Sequence, residues 1–319
     1  MRSIITFLSI LILLLNTQVA FSQFKRNVEV SSKYDKVKDQ HQIIAENNTF
    51  SSYVLKVTFT TSSNMKCING NTSFTKTILP GRNVVTTIRR IDPLRKIFFR
   101  YETWVIPGCH RPKPKVDYPY LLPVKNGDTT KFHLLSNFSE TYQDMSPPKD
   151  WYALQFSTTK GDTVFAARRG RITKVVYEAE KTPDENIIYT SRKNYLVIEH
   201  KDGTFADYSL FENDGIFVEP GSIVEAGQAL GTIGGETYLS GSHLRFAVRY
   251  FLEQPEIKHG IETGKKQYWA YVPISFHTTE GLQKLEDNEE YEALHEKEVI
   301  IHEMTKRQLK KWLKSSSKK

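Results

Sequence analysis

Between Lys160 and Tyr250 the chain alternates short β-branched and aromatic runs with glycine, and that punctuation constrains its fold more than any other feature. Val164-Phe165-Ala166-Ala167, Arg171 to Tyr177, Asn194 to His200 and His243 to Arg249 each have the length and composition of a strand. Asp202-Gly203, set between Lys201 and Thr204, signals a hairpin after the third run. The mixed acidic and lysine-containing stretch from Glu180 to Lys193 reads as a surface insertion between two strands. Closely spaced short strands joined by turns predict an all-β domain.

A second strand-rich region lies before it. Tyr53 to Phe59, Val84 to Ile88 and Ile97 to Tyr101 are β-favouring, and Asn69-Gly70-Asn71 and Leu79-Pro80-Gly81 supply turns between them. The spacing predicts a β-sandwich-like domain over residues 23–106 with a structural or adhesive role, since no catalytic constellation falls in it. Seven of the thirteen prolines lie between Pro107 and Pro148, which marks 107–149 as a connecting segment, although Tyr118 to Leu122 is apolar enough to pack. The strand-rich second domain then covers 150–276. After it, residues 280–303 hold nine acidic side chains, and 306–319 hold seven basic and no acidic ones. Leu309, Trp312 and Leu313 are at helical spacing there, so 277–319 reads as a charged tail with a short amphipathic basic helix. Such a helix suits either an anionic surface or the acidic run before it.

The N-terminus bears on location. One positive charge in Met1-Arg2-Ser3 precedes a run from Ile4 to Leu15 that is apolar apart from Thr6 and Ser9, and Ala20-Phe21-Ser22 has the small-x-small form of a cleavage site. Residues 1–22 therefore read as a signal peptide, with an uncleaved anchor as the alternative, and the protein as exported to the periplasm or outside the cell. No cysteine near the cleavage site offers a lipid anchor. In an oxidising compartment Cys67 and Cys109 are candidates for a disulfide closing a loop of about 40 residues, which would contribute ~3–4 kcal/mol; two unpaired thiols are the alternative. With 39% hydrophobic and 12% aromatic residues, the 319-residue chain is not wholly disordered, and two cysteines exclude a four-cysteine zinc site. Much of the positive charge behind the formal +8 sits in residues 306–319, so the basic balance does not predict nucleic-acid binding.

Three segments of the second domain recur in a known order. Lys160 to Ala167 with Gly170-Arg171-Ile172, then Asn194 to Leu210 followed by Val218 to Gly234, and finally Ser240 to Arg249 resemble lysostaphin-like (LytM-type) zinc metallopeptidases. The likeness spans roughly residues 150–250, and its specificity lies in order and spacing rather than in any one piece. It implies an antiparallel sheet of the duplicated hybrid motif type, with a groove whose single zinc cuts peptide crosslinks of bacterial cell wall. In such a site two histidines and an aspartate hold the metal, bound water is acidified and attacks a peptide carbonyl, and two further histidines assist.

Carried over by position, that site is largely absent. The family's first motif, His-x-x-x-Asp, falls without gaps on Trp151 and Gln155. Its central Tyr-x-His falls on Tyr208-Ser209-Leu210, and its closing His-x-His on His243-Leu244-Arg245, so that His243 takes the place of an assisting histidine and Arg245 that of a ligand. Indole and arginine offer a metal no lone pair, an amide is a poor uncharged ligand, and a guanidinium repels a dication. No catalytic residue, metal ligand or cofactor is expected. Trp151, Gln155, Tyr208, Leu210, His243, Arg245 and Arg249 become groove or packing residues, with Arg245 and Arg249 suited to a carboxylate and Trp151 to stacking.

The resemblance therefore implies an inactive relative that binds peptidoglycan or regulates a wall hydrolase or another envelope protein, with membrane contact only through the N-terminal signal or the basic tail. One alternative is an active zinc endopeptidase whose ligands have moved, with Asp150, Asp207 and His200 as the nearby candidates. A second is an envelope structural or adhesive protein.

Overall fold

The computed structural model describes residues 26–135, 150–179, 192–257 and 266–316. The expected signal peptide at 1–22 and residues 180–191 of the expected insertion lie outside them. Among the described residues no helix is long and apolar enough to cross a membrane.

The chain begins with β1 (Val28–Asp35), β2 (Gln40–Asn47), β3 (Tyr53–Ser63), β4 (Met65–Cys67), β5 (Ser73–Ile78), β6 (Gly81–Arg90) and β7 (Phe98–Pro107). They form two antiparallel sheets, β1-β2-β6-β4 and β5-β3-β7. Alternation on β3 turns Tyr53, Leu55, Val57 and Phe59 inward, where they share a core with Ile78 of the neighbouring β5 and with Ile43 and Ile88 of the facing sheet. This is the β-sandwich that the sequence predicts. Each fully buried Leu or Ile there contributes roughly 1.5–3 kcal/mol.

The two cysteines are not joined. Cys67 is buried in the sandwich core, whereas Cys109 follows β7 at the other end of the sandwich, and both are free thiols. Gly203 explains the position of Cys109. This glycine occupies the turn of the predicted Asp202-Gly203 hairpin at φ +84°, and a Cβ added to it would come within 2.9 Å of the Cys109 sulfur. Cys109 is thus committed to the contact between the sandwich and this hairpin.

The second unit continues with β8 (Pro119–Leu121), β9 (Thr129–Leu134), β10 (Ala153–Ser157), β11 (Thr163–Phe165), β12 (Gly170–Val176), β13 (Tyr195–Glu199), β14 (Thr204–Ser209) and β15 (Phe211–Ile216). It is completed by β16 (Ile223–Val224), β17 (Ala229–Ile233), β18 (His243–Ile257), β19 (Lys266–Tyr271), β20 (Ser275–Thr278), β21 (Gly281–Gln283) and β22 (Glu290–Glu292). Its main sheet runs β16-β12-β13-β14-β18-β10-β9-β22, with β19 added alongside β18. The three-stranded sheets β11-β17-β15 and β21-β20-β8 complete the unit, and β20-β8 is a parallel pair.

Two segments depart from their expected roles. The proline-rich connector supplies β8 and β9 and buries Phe132 in the main core, where Tyr118, Tyr120 and Leu122 also pack as their apolar character suggests. Residues 275–292, read partly as charged tail, form β20 to β22 and bury Phe276, Leu285 and Tyr291 in that same core. Among the described residues, the helices are α1 (Lys297–Ile301) and α2 (Lys306–Ser316), the latter at the expected position of Leu309, Trp312 and Leu313. The architecture is all-β with a short helical C-terminus.

A buried ionic cluster fastens that C-terminus. Arg168, with no exposed surface, reaches Asp202 at 2.8 Å and Glu303 at 2.7 Å, donates to the Tyr120 hydroxyl at 3.0 Å, and lies 3.9 Å above the Tyr118 ring. A guanidinium can serve two carboxylates at once because its donors fan out in a plane.

Candidate binding groove

Strand alternation decides which side chains share the face of the main sheet turned away from the core, where Gln155, Ser209 and His243 are buried and Arg245 and Asp207 are partly exposed. His133, Gln155, Arg245 and Ser209 are successive cross-strand neighbours on β9, β10, β18 and β14, so their side chains form one row. Ser157 and His243 are paired in the next row on one side. Asp207, Ala247 and Ala153 are aligned on the other. The intervening residues Leu154, Phe156, Leu244 and Phe246 point into the core.

Gln155, His243 and Arg245 are therefore brought together as the motif alignment expects. Arg245 donates from Nε to Nε2 of His243 at 3.1 Å and holds its guanidinium 4.9 Å from the Tyr238 ring. His243 Nδ1 is 2.7 Å from the carbonyl of Gly241, so the proton sits on Nδ1 and the lone pair of Nε2 accepts from Arg245. Burial, with added repulsion from Arg245 and His133, pushes the His243 pKa down to about 4. It is a neutral imidazole with both nitrogens engaged.

Other expected groove residues are placed differently. Tyr208 faces the core, where its hydroxyl accepts the Ala167 N–H at 2.9 Å, because β14 alternates and Asp207 and Ser209 take the opposite face. Leu210 also turns into the core. It follows β14 at φ +80°, on the same side of the chain as Tyr208 and away from the Arg245 face that Ser209 shares. Trp151 donates from Nε1 to the Leu135 carbonyl at 2.8 Å and packs its ring on Tyr271, 4.7 Å between centroids. Arg249 is bound to Asp207 through two hydrogen bonds and lies 3.9 Å over the Trp269 ring.

Lys193 is a groove residue that the sequence does not single out. It is half-buried, and burial followed by repulsion from Arg245 holds its pKa below the usual lysine value, while Asp207 acts the other way. Nothing near Lys193 in the sequence marks it, since its neighbours read as insertion. His133 is hidden for a related reason: only the pairing of β9 with β10 brings it beside Gln155.

The donor chemistry here does not fit zinc. A catalytic zinc needs about three nitrogen, sulfur or carboxylate ligands, whereas the row offers an amide, a guanidinium, a hydroxyl and the single imidazole of His133, and His243 in the next row is already bonded at both nitrogens. Among the described residues no group of three or more His, Cys, Asp or Glu is placed to hold a metal ion. The residues nearest to a relocated set do not converge either: Asp207 is held by Arg249, and His200 is buried with Nδ1 on the Arg169 carbonyl. What the arrangement offers is a cationic, hydrogen-bond-donating site.

Residues 149–258 match Peptidase family M23. Comparison with curated proteins gives no match. Among solved structures, lysostaphin is similar at 20% identity over 36% of this chain and 40% of its own, with a TM-score of 0.24. The chain thus spans well under half of lysostaphin's length. A zinc-containing peptidase from Vibrio cholerae aligns at 13% identity over 72% of this chain and 84% of that one, with a TM-score of 0.29. Csd3 of Helicobacter pylori aligns at 12% identity over 93% and 86%, with a TM-score of 0.27.

Proposed function

We propose that residues 149–258, a LytM-type domain of peptidase family M23, serve this chain as a recognition module for cell-wall peptidoglycan rather than as a hydrolase. One observation carries the reading: the Arg245 guanidinium, bonded to His243 Nε2, occupies the position where the family pattern calls for a metal-binding imidazole. Arginine stays charged at any physiological pH. Lys193 beside it brings a second cation, so a metal dication is opposed by charge as well as by the lack of donors. The same pair suits a carboxylate, which the stem peptides of the wall present in quantity.

In this reading the grip is Arg245 with Lys193 rather than Arg245 with Arg249, since Arg249 is already bound to Asp207. Gln155 and Ser209, neighbours of Arg245 in the row, add polar groups at the site. Export fits this reading, with the apolar segment Ile4 to Leu15 as its address. Regulation of a wall hydrolase would use the same surface with a protein carboxylate as the target.

Sedimentation with purified, protein-free sacculi tests the proposal. The protein should co-sediment with them, and Arg245→Ala should weaken binding by about tenfold or more, the loss expected for a charge-assisted bond. Crosslinked wall fragments incubated with zinc-supplemented protein should stay intact. Cleavage of the fragments together with one equivalent of bound zinc would establish a hydrolase with relocated ligands instead. Binding that is indifferent to Arg245→Ala would leave the sandwich as an adhesive unit.

A further inference from the structure

The end of the sandwich farthest from the M23 domain carries an apolar tip inside a basic collar, and the geometry points to a docking surface for an anionic phospholipid bilayer. This inference concerns a different domain and a different ligand from the groove, and it stands without the proposal above.

Three connections meet at this end. The β1–β2 turn at 36–39, Asn64 between β3 and β4, and the β6–β7 loop at 91–97 are brought together by strand register, with Asp35 opposite Gln40, Gln40 opposite Arg89, and Met65 opposite Arg90. Side chains fix them to one another. Arg90 bonds Asp39 at 3.0 Å across the two loops, and Tyr34 donates to the same carboxylate at 2.8 Å. Asn64 donates to the carbonyls of Asp92 and Arg95, and it accepts the Asp92 N–H at 2.7 Å. The tip is a built surface, with its loops cross-braced.

That surface leaves apolar side chains in solvent. Val37 is 96% exposed, Leu94 94%, Ile91 66% and Phe98 50%. Single exposed apolar residues are ordinary, but several gathered on adjoining loops are a mark of an interaction site. Around them, residues 33–39, 64–66 and 89–100 hold nine basic side chains against three acidic ones, a balance of +6 within a chain of net charge +8. All three carboxylates are turned to loop construction. Asp35 accepts the Val37 and Lys38 N–H groups, Asp39 pairs with Arg90, and Asp92 accepts the Leu94 N–H and pairs with Arg95. Lys36, Lys38, Arg95, Lys96 and Arg100 are left exposed around the aliphatic centre.

Chemistry selects the occupant. A basic collar attracts any anionic surface, yet aliphatic side chains gain nothing from a hydrated polymer, whereas a bilayer offers anionic headgroups and hydrocarbon a few ångströms apart. A second copy of the chain would bring +6 against +6 and is repelled. The placement also suits the fold. Ser52, which bonds Glu199 of the M23 domain, precedes Tyr53 at one end of β3, and Ser63 pairs with Phe98 at the other. The 11 residues of β3 span about 35 Å. A tip seated on the bilayer therefore holds the M23 domain off the membrane by about the length of that strand.

Vesicle flotation tests the inference. The chain beginning at Gln23, the N-terminus that the sequence expects of the exported protein, is mixed with vesicles of phosphatidylcholine alone or with equal phosphatidylglycerol. It should float with the anionic vesicles and not with the neutral ones, and added salt should release it. Val37→Asp with Leu94→Asp should weaken binding by about tenfold or more, since the pair replaces the two most exposed aliphatics with charges the bilayer repels. Val37→Ser with Leu94→Ser should weaken it less, both with an unchanged thermal midpoint. Lys36→Glu with Lys96→Glu should abolish binding, and Lys310→Glu with Lys311→Glu in α2 should leave it within about twofold. Undiminished binding by Val37→Asp with Leu94→Asp overturns the inference. So does loss of binding on charge reversal in α2, which would assign the contact to the tail. Capture of a soluble polyanion with the same sensitivity to the tip variants would make a polymer the occupant and overturn it as well.

Discussion

Arg245 donates a hydrogen bond to Nε2 of His243 at 3.1 Å, so a permanent cation holds the lone pair that a metal or a proton would need. Burial is the larger cause of the depressed His243 pKa, and Arg245 adds to it. In Arg245→Ala the imidazole pKa should rise from about 4 yet stay below the ordinary histidine value, since burial remains. Titration of the His243 ring signals by NMR checks this. A ring that still titrates near its parent value in the variant would show that the contact does not form in solution. Freeing one imidazole should leave zinc unbound, because Gln155 and the core-facing Leu210 offer no compensating ligands.

Acid should destabilise the second unit over a defined range. His243 and His200 are both buried, and both have pKa values pushed down to about 4, chiefly by burial, with Arg168 adding repulsion at His200. In the folded protein they stay neutral, while the unfolded chain takes up protons below about 6.5. Between those values the unfolded state binds more protons, so the stabilisation is complete above about pH 6.5 and is lost as pH falls towards 4. Each histidine contributes at most roughly 3 kcal/mol to that loss. Urea midpoints measured across the range should fall with acidification, and the slope should be shallower in His243→Asn and in His200→Gln. A slope unchanged in both variants would place the acid sensitivity elsewhere.

Much of this molecule is legible in its sequence because glycine-bounded β runs and motif order are local signals. The β-sandwich, the hairpin at Asp202-Gly203 and the contact of Gln155 with Arg245 all follow from strand periodicity and alignment. The hidden part depends on long-range pairing. Phe132 becomes a core residue only because β9 inserts between β10 and β22. Tyr208 and Leu210 adjoin Ser209 in sequence, yet alternation and one positive φ bury both. Cys67 and Cys109 look like partners because only two cysteines exist, but the sandwich holds them at different ends.

Arg168 should be among the least replaceable residues. It is fully buried between the carboxylates of Asp202 and Glu303, and removing it strands two anions without a counter-charge. Arg168→Leu should cost about 3–5 kcal/mol, the range for breaking a buried ion pair from one side. Glu303→Gln should cost less, since Asp202 still neutralises the guanidinium. Because Glu303 lies between α1 and α2, its loss should also expose that junction, so limited proteolysis near His302 to Lys306 should quicken. If Arg168→Leu unfolds at the parent's urea midpoint, the cluster is not what fastens the C-terminus.

Ser52 and Glu199 join the two units and offer a double-mutant cycle. The Ser52 N–H donates to Glu199 Oε2 at 2.9 Å, and its hydroxyl donates to Oε1. Burial raises the Glu199 pKa, and the two bonds from Ser52 counteract that rise. Ser52→Ala removes one bond and lets the pKa climb further, so ionised Glu199 should cost more stability at neutral pH, by about 1–3 kcal/mol. Glu199→Gln removes the charge and should make the Ser52 substitution nearly harmless. A coupling energy above about 1 kcal/mol, falling as the pH is lowered and Glu199 is protonated, is the expected outcome. Additive effects at every pH would mean that the sandwich and the M23 domain are held together without this contact.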